Sequence, residues 1–275
     1  MIVVSAASGA LGRLVVEQLL IRIPAKDIAV AVRSPESVAG FAARGIQIRR
    51  GDYDVPDTLP AAFEGADRLL LISSPDLDPI RRTGHHRAAV DAARKVGVGA
   101  VVYTSFLDAD TKADGVTAAH HATERALRAS GLGHTLLRHP FYSEAFLNAG
   151  LTTVVAEGEL WDGTGGRGIN TASRADLAEA AARVLTEGGH LDRAYDFTGA
   201  RWTYPELADV LTQVYGKPVR HRQRPEPTPG IQGWLEQQVR SGALERQTDD
   251  LGHVLGRPPT PLHRAVRALV PTSGS

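Results

Sequence analysis

Along the first half of the chain, short uninterrupted apolar runs alternate with longer segments whose apolar residues recur every three or four positions, the patterns of buried strands and of amphipathic helices. Residues 2–5 open as a strand, and Leu11, Val15 and Leu19 then form one helical stripe with Leu14 and Leu20 beside it, closed by Pro24. Strands are predicted at 28–32, 46–50, 68–73, 100–104 and 135–138, with helices at 79–96 and 116–130, the last ended by Gly131. Continuous apolar strands alternating with helices are what a parallel sheet covered on both faces requires. After residue 150 the pattern changes. Glycines from 158 to 168 suggest a loop around Trp161, Ser173-x-x-Asp176 resembles a capping box before a helix at 175–186, and Thr203-Tyr-Pro-Glu206 is a clearer one opening a helix that ends at Tyr215. A basic, proline-rich stretch at 220–229 and a short polar tail at 271–275 complete the chain.

The turn after the first strand reads Ala6-x-x-Gly9-x-x-Gly12. A strand that runs into glycines and then a helix leaves unpaired N–H groups and a positive helix dipole facing outward, the build of a pyrophosphate site, although Ala6 stands where the tight turn usually has glycine. Arg33 follows the second strand, 21 residues after Gly12, where an acid would accept a ribose 2'-hydroxyl. A guanidinium there instead suits a 2'-phosphate. The expected cofactor is therefore NADPH, with NADH as second candidate. The expected fold is α/β, a Rossmann-type doubly wound parallel sheet with a small, mostly helical C-terminal lobe. Residues 1–150 form the NAD(P)-binding domain, and 151–275 form the substrate lobe with elements returning to the core. Ligands in such sheets bind beyond the strand carboxyl ends. Those ends supply residues 5–9, Arg33, 73–75, 104–107 and 139–142 to one crevice.

Composition narrows the function. The 275 residues are 43% hydrophobic, enough for a sizeable core, and 31 basic balance 31 acidic residues. Without a basic block there is no electrostatic footprint for nucleic acid or an anionic membrane. Absence of cysteine excludes disulfides and thiolate chemistry and fits a cytoplasmic protein, and the apolar N-terminus lacks the basic region of a signal peptide. The pairs His85-His86 and His120-His121 lie on helices, where adjacent side chains diverge by about 100 degrees, so no metal site is expected. No Gly-x-Ser-x-Gly elbow suggests a hydrolase. Glu124 and Asp176 read as helix-surface or packing acids.

The glycine turn combines with Val32-Arg33-Ser34-Pro35, Gly51-Asp52-Tyr53, Ser73-Ser74, His86-Arg87, Tyr103-Thr-Ser105, Thr123-Glu124, Leu137-Arg138, Tyr142-Ser-Glu144 and Ala172-Ser-Arg-Ala-Asp176. This set resembles the NmrA-like group of atypical short-chain dehydrogenases, and within it the NADPH-dependent quinone oxidoreductase type 2 family. The resemblance covers almost the whole chain. It implies that Ser8, Gly9, Ala10 and Leu11 meet the pyrophosphate and Arg33 the 2'-phosphate, with Ala6 and Gly12 of the same turn also cofactor-binding. Asp52 and Tyr53 flank the adenine, and Ser73, Ser74 and Pro75, with Thr104 and Ser105 beyond, run beside the nicotinamide ribose. Relatives often carry a second basic residue near Ser37, which is absent here.

The ordinary Tyr-x-x-x-Lys acid/base pair is replaced by Val116-x-x-x-His120. That loss disfavours alcohol dehydrogenation and sugar epimerisation, whereas hydride transfer to a quinone or similar electron-poor carbonyl compound needs no such pair. His120 is the candidate for proton delivery or substrate contact, and Phe106, Phe141, Tyr142 and Trp161 are candidates to stack on a planar ring. Phe146 reads as lobe packing. The alternative within the group is a dinucleotide-binding redox sensor acting through a protein partner. A homodimer through surface helices is the expectation for assembly.

Overall fold

The computed structural model describes residues 1–226 and 228–270; the polar tail and Pro227 of the proline-rich stretch lie outside the described residues. In chain order, β1 (Ile2–Ser5), α1 (Ala10–Leu20), β2 (Ile28–Val32), α2 (Ala39–Ala42), β3 (Gln47–Arg50), α3 (Leu59–Phe63) and β4 (Arg68–Leu71) come first. They lead to α4 (Pro79–Lys95), β5 (Ala100–Phe106), α5 (Ala118–Ala129), β6 (Gly133–His139), α6 (Leu151–Glu157), β7 (Glu159–Asp162) and β8 (Ile169–Asn170). The remainder is α7 (Arg174–Thr186), β9 (Arg193–Asp196), β10 (Arg201–Trp202), α8 (Tyr204–Tyr215), β11 (Arg220–Gln223), α9 (Gly230–Arg240), α10 (Asp250–Leu255) and α11 (Leu262–Arg267). Two compact units divide the chain: residues 1–139 with 177–197, and residues 140–176 with 198 onward.

In the first unit seven parallel strands run in the order β3-β2-β1-β4-β5-β6-β9. β1 pairs with β2 on one side and β4 on the other, so strand order reverses there, which is where a doubly wound sheet opens its crevice. Val3, Leu69, Leu71, Val101 and Leu136 are fully or almost fully buried and share one cluster with Leu59, Phe63, Ala89 and Leu127 from the helices. Leu11, Val15 and Leu19 are the buried stripe of α1, as their spacing predicts, but Leu14 faces solvent. Asp78 caps α4 by accepting from the Ile80 and Arg81 N–H groups, with Pro79 at the first helical position.

β5 runs on to Phe106, so Ser105 and Phe106 belong to the strand and do not follow it. The helix expected from Val116 begins as a 3-10 turn at Gly115–Thr117. β9 has no apolar signature: Arg193-Ala-Tyr-Asp196 is an edge strand, and like Gln47-Ile-Arg-Arg50 at the opposite edge it carries charge where an apolar row would invite pairing with another chain.

Glu124 is not a surface acid. Its side chain has no exposure, and the Arg138 guanidinium grips it through both carboxylate oxygens, Nε to Oε1 and Nη2 to Oε2, each at 2.8 Å. Ser105 Oγ donates to the same carboxylate at 2.7 Å, while Arg138 Nη1 reaches Asp110 at 3.1 Å and Asp196 at 3.2 Å. Burial alone would raise the Glu124 carboxyl, yet hydrogen bonds from Arg138 and Ser105 outweigh it and the net shift is downward. The network ties β5, β6, β9 and α5 together at the strand carboxyl ends.

The second unit pairs β7 with β11 in parallel and β8 with β10 antiparallel. Its core gathers Phe146, Leu147 and Leu151 with Trp202, Leu207, Leu211, Leu235 and Val239, and Phe146 meets the Trp202 ring edge-on at 5.9 Å. The glycine-rich loop expected around Trp161 is a strand, with Trp161 paired to Arg222. Flanking glycines masked it, of which Gly158 ends α6 in a left-handed conformation. Asp176 is also buried, accepting from Arg257 Nη2 at 2.8 Å and the Thr260 N–H at 2.7 Å. Only half of its capping box forms, Ser173 Oγ accepting from the Asp176 N–H. The Thr203–Glu206 box is complete. No helix among the described residues is long and apolar enough to cross a membrane.

Removing the charge of a buried partner leaves Arg138 undercompensated. Glu124→Gln is expected to lower unfolding free energy by about 2 to 3 kcal/mol in urea titrations, and an unchanged midpoint would contradict a structural role for the pair.

Candidate active site

The turn between β1 and α1 solves its missing glycine directly: Ala6 adopts φ of +48°, a left-handed conformation that L residues enter at a cost of about 1 kcal/mol. The Gly9 N–H donates back to the Ala6 carbonyl at 3.1 Å and locks the loop. The two true glycines have different reasons. A Cβ on Gly12 would lie 2.7 Å from Ala7 Cα and 2.8 Å from the Ala6 carbonyl, so no side chain fits between α1 and the turn. A Cβ on Gly9 would meet only the Ala6 carbonyl at 3.4 Å, an ordinary contact, so the fold tolerates it. The bareness of Gly9 therefore serves the space outside the turn.

That space is a cavity of about 340 Å³ at the strand-order reversal. Ala6, Ser8, Gly9, Arg33, Asp52, Tyr53, Ser74 and Pro75, all expected from sequence, line it. Arg33 is exposed and has no hydrogen-bond or ion-pair partner among the described residues. Nearby, Arg13 donates from Nε to the Ser8 carbonyl and from Nη2 to the Ser37 carbonyl at 2.7 Å. A second cation thus reaches the segment around Ser37 from α1, although none stands there in sequence.

Behind the cavity, Ser5 Oγ accepts from the Ile72 N–H at 2.9 Å, and Tyr53 Oη donates to the Ile72 carbonyl at 2.6 Å. Ser5 Oγ then has its own proton for Tyr53 Oη at 2.8 Å. Burial raises the Tyr53 hydroxyl well above the usual phenol range, so it is a fixed strut and not a proton source.

The sequence did not single out His85, Asp54 or Asp76, which also line the cavity. His85 stacks on Tyr53 with ring centres 6.1 Å apart, and it bonds Asp54 through Nε2 at 3.1 Å and Ser74 Oγ through Nδ1 at 2.9 Å. Helical spacing on α4 turns His85 to the cavity and His86 inward, a distinction that adjacency in sequence hides. Other predicted residues stand behind the wall. Leu11 and Gly12 are buried at the start of α1, and Ala10 is exposed. Ser73 donates its N–H to Thr104 Oγ1 at 2.9 Å and accepts from Arg82 Nη2 at 3.3 Å, while Ser105 is taken by Glu124.

His120 is 3% exposed, bonded through Nδ1 to Tyr103 Oη at 2.8 Å, with the Phe106 ring centre 6.0 Å away. Burial and the nearby Arg82 cation push its pKa well below the ordinary histidine value. His120 is therefore a neutral imidazole and not the near-neutral acid that free histidine chemistry suggests. His86 is pushed down to about 3, by burial first and then by Arg82 and His85, and burial takes His139 to about 3 as well. In the second unit, Phe141 meets Trp234 edge-on at 5.6 Å, Tyr142 lies under the Arg174 guanidinium at 4.4 Å, and Trp161 is 47% exposed on β7.

Residues 6–188 match the family model described as NAD(P)H-binding. Over 81% of its length the chain is 40% identical to quinone oxidoreductase 2 of Escherichia coli strain K12, covering 77% of that protein. It is 32% identical to an NmrA-like family domain-containing oxidoreductase of Aspergillus flavus, with 97% of this chain and 94% of that one covered. Among solved structures, Citrobacter sp. triphenylmethane reductase complexed with NADP(H) superposes with a TM-score of 0.92 at 34% identity, over 98% of this chain and 100% of that one.

Neutral buried histidines make stability depend on pH in one direction. Because their folded pKa values lie below the unfolded value near 6.5, stability is complete above that pH and is lost as pH falls from about 6.5 toward 3, by up to about 1.4 kcal/mol per pH unit for each histidine. Urea midpoints at pH 7.0 and 5.0 should show the loss, and His139→Phe should reduce it by one histidine's share; equal acid sensitivity in the variant would show that His139 is not held neutral.

Proposed function

The chain belongs to the NAD(P)H-binding family, as an NmrA-like oxidoreductase similar to quinone oxidoreductase 2, and from that premise we propose that it is an NADPH-dependent reductase of quinones or similar electron-poor conjugated acceptors. The observation that carries this reading is the convergence, in one cavity at the strand-order reversal, of a bare Gly9, an unpartnered Arg33 and the Ser74-Pro75 strand end. These residues fit a phosphorylated dinucleotide. The α1 N-terminus offers backbone donors and a positive dipole to the pyrophosphate, and Gly9 leaves room for close approach. Arg33 supplies a fork for a 2'-phosphate, with Arg13 one turn into α1 as added positive charge. Asp52 and Tyr53 would border the adenine, and the Ser73–Pro75 segment the nicotinamide ribose.

The cofactor, when bound, supplies a hydride. The chain's own residues bind, orient and exclude water. Position 116 holds a valine in the middle of a 3-10 turn, so the acid/base tyrosine of ordinary short-chain dehydrogenases has no counterpart. An acceptor that tolerates negative charge after receiving hydride needs no strong protein acid, which favours quinones over simple ketones.

Mixing the protein with NADPH and a benzoquinone should consume the cofactor catalytically, followed by its absorbance. Tight cofactor binding without turnover across a quinone panel would overturn the reductase reading and leave a dinucleotide-binding regulator. Arg33→Ala should weaken NADPH binding about tenfold more than NADH binding, and equal losses would show that Arg33 does not meet the 2'-phosphate. Gly9→Ala should keep the melting temperature within a few degrees while weakening both cofactors, since its Cβ clears the fold but enters the cofactor's approach.

A further inference from the structure

Behind the cavity wall a chain of hydrogen bonds crosses from α4 to α5 through β5, and both of its ends on His86 are fixed by groups that cannot change role. The Ser74 N–H, from a residue lining the cavity, donates to His86 Nε2 at 2.9 Å, so Nε2 carries no proton. A neutral His86 must then carry its proton on Nδ1. Thr123 Oγ1, 2.8 Å from that nitrogen, spends its only hydrogen on the Ala119 carbonyl at 2.6 Å and so can only accept from it. The Tyr103 oxygen also faces the Nδ1–H, at 3.3 Å, and its shorter ring contact is to His120 Nδ1 at 2.8 Å, which can take the Tyr103 hydroxyl proton.

With the Tyr103 hydroxyl donating to His120, Nδ1 accepts and the proton sits on Nε2. That nitrogen makes no hydrogen bond among the described residues, yet it is not one of the sealed, unpartnered atoms of the interior. It keeps accessible surface beside Phe106 at the β5 carboxyl end, one strand over from Ser73 and Ser74. The charged and titratable groups around it are Arg82 and His86 from α4, Tyr103 from β5, His139 from β6 and, one helical turn along α5, Glu124, which Arg138 neutralises. Burial first, and then the Arg82 cation, make a further proton on His120 unfavourable.

We propose that this chain holds His120 as its neutral Nε2–H form, a hydrogen-bond donor aimed at the oxygen of the reduced acceptor, with Tyr103, His86 and Thr123 as positioning residues. The proposal rests on the reductase reading for its acceptor. A quinone that takes a hydride, two electrons and one proton, from NADPH becomes a hydroquinone monoanion. The Nε2–H stabilises the new oxyanion without giving up its proton, and water supplies the second proton to complete the hydroquinone. Desolvated donors of this kind act where charge develops.

The tautomer can be read without any substrate. In full-length protein labelled with 15N in its histidine rings, two-bond proton–nitrogen correlations should place the His120 proton on Nε2 and the His86 proton on Nδ1, unchanged from pH 8 to 5.5. A His120 protonated on Nδ1, or on both nitrogens, overturns the proposal. Thr123→Ser should keep both tautomers, and in Thr123→Val the Ser74 N–H, still donating to Nε2, should hold His86 in its Nδ1–H form. In turnover, His120→Gln, whose amide nitrogen falls where Nε2 was, should retain activity that His120→Asn loses, with kcat lower by on the order of a hundredfold in the latter and NADPH binding unchanged. Equal loss in both variants removes the donor role even if the tautomer stands. Should the unaltered protein reduce no quinone, the reductase reading fails, and the ring spectra still decide the tautomer.

Discussion

The closeness of α1 to the turn that precedes it constrains everything built around it. With Gly12 packed so near Ala6 and Ala7 that a single Cβ would collide with backbone, the helix N-terminus is fixed directly above the end of β1. β1 is also the strand at which the sheet reverses order, so the helix dipole, the free N–H groups and the gap between neighbouring helices coincide. Ala6 accepts a left-handed backbone to permit this. The strain of about 1 kcal/mol is small beside the burial of Leu11, Val15 and Leu19 that the same geometry secures, at roughly 2 kcal/mol for each side chain.

Around that fixed point, at the carboxyl ends of the central strands, the interior is polar and the polarity is ordered. Tyr53, Ser5 and Ile72 close one ring of hydrogen bonds, and Ser74, His86, Thr123, Tyr103 and His120 form a second chain. Burial leaves these groups few alternative partners, which restricts the order of their protons. Desolvation also removes charge: the histidines are neutral and the phenols protonated, which leaves Arg82 as a formal charge beside His120. An oxidoreductase whose cofactor carries the hard step gains from such an interior, because a fixed dipole costs no reorganisation when charge appears on the acceptor.

A different device holds the far side of the sheet. Arg138 gathers Glu124, Asp110 and Asp196 from separate segments, so the polar edge strand β9 is attached by charge where it lacks apolar side chains. Its bidentate grip also explains why Glu124 and Ser105 are unavailable for substrate chemistry despite standing at strand ends.

Periodicity alone determined the parallel sheet, since strands such as Leu69-Leu-Leu are buried on both faces and leave no ambiguity of side. Local chemistry likewise determined the glycine turn, the Arg33 position and the Thr203 capping box, because each depends on residues within one turn or one βα unit. The tertiary structure decided the rest. Strand β9 and strand β7 have no apolar alternation of their own and exist because β6 and β11 offer partners far away in sequence. Glu124 and Asp176 read in sequence as surface or packing acids, and only their cations, Arg138 and Arg257 from distant segments, decide for burial. Composition identified His120 as a residue able to titrate near neutrality, and only its burial against Tyr103 and Arg82 made it a neutral dipole. Proximity along the chain sets local backbone choices; solvation and charge pairing depend on which distant atoms exclude water from a group, and those are known only once the chain has folded.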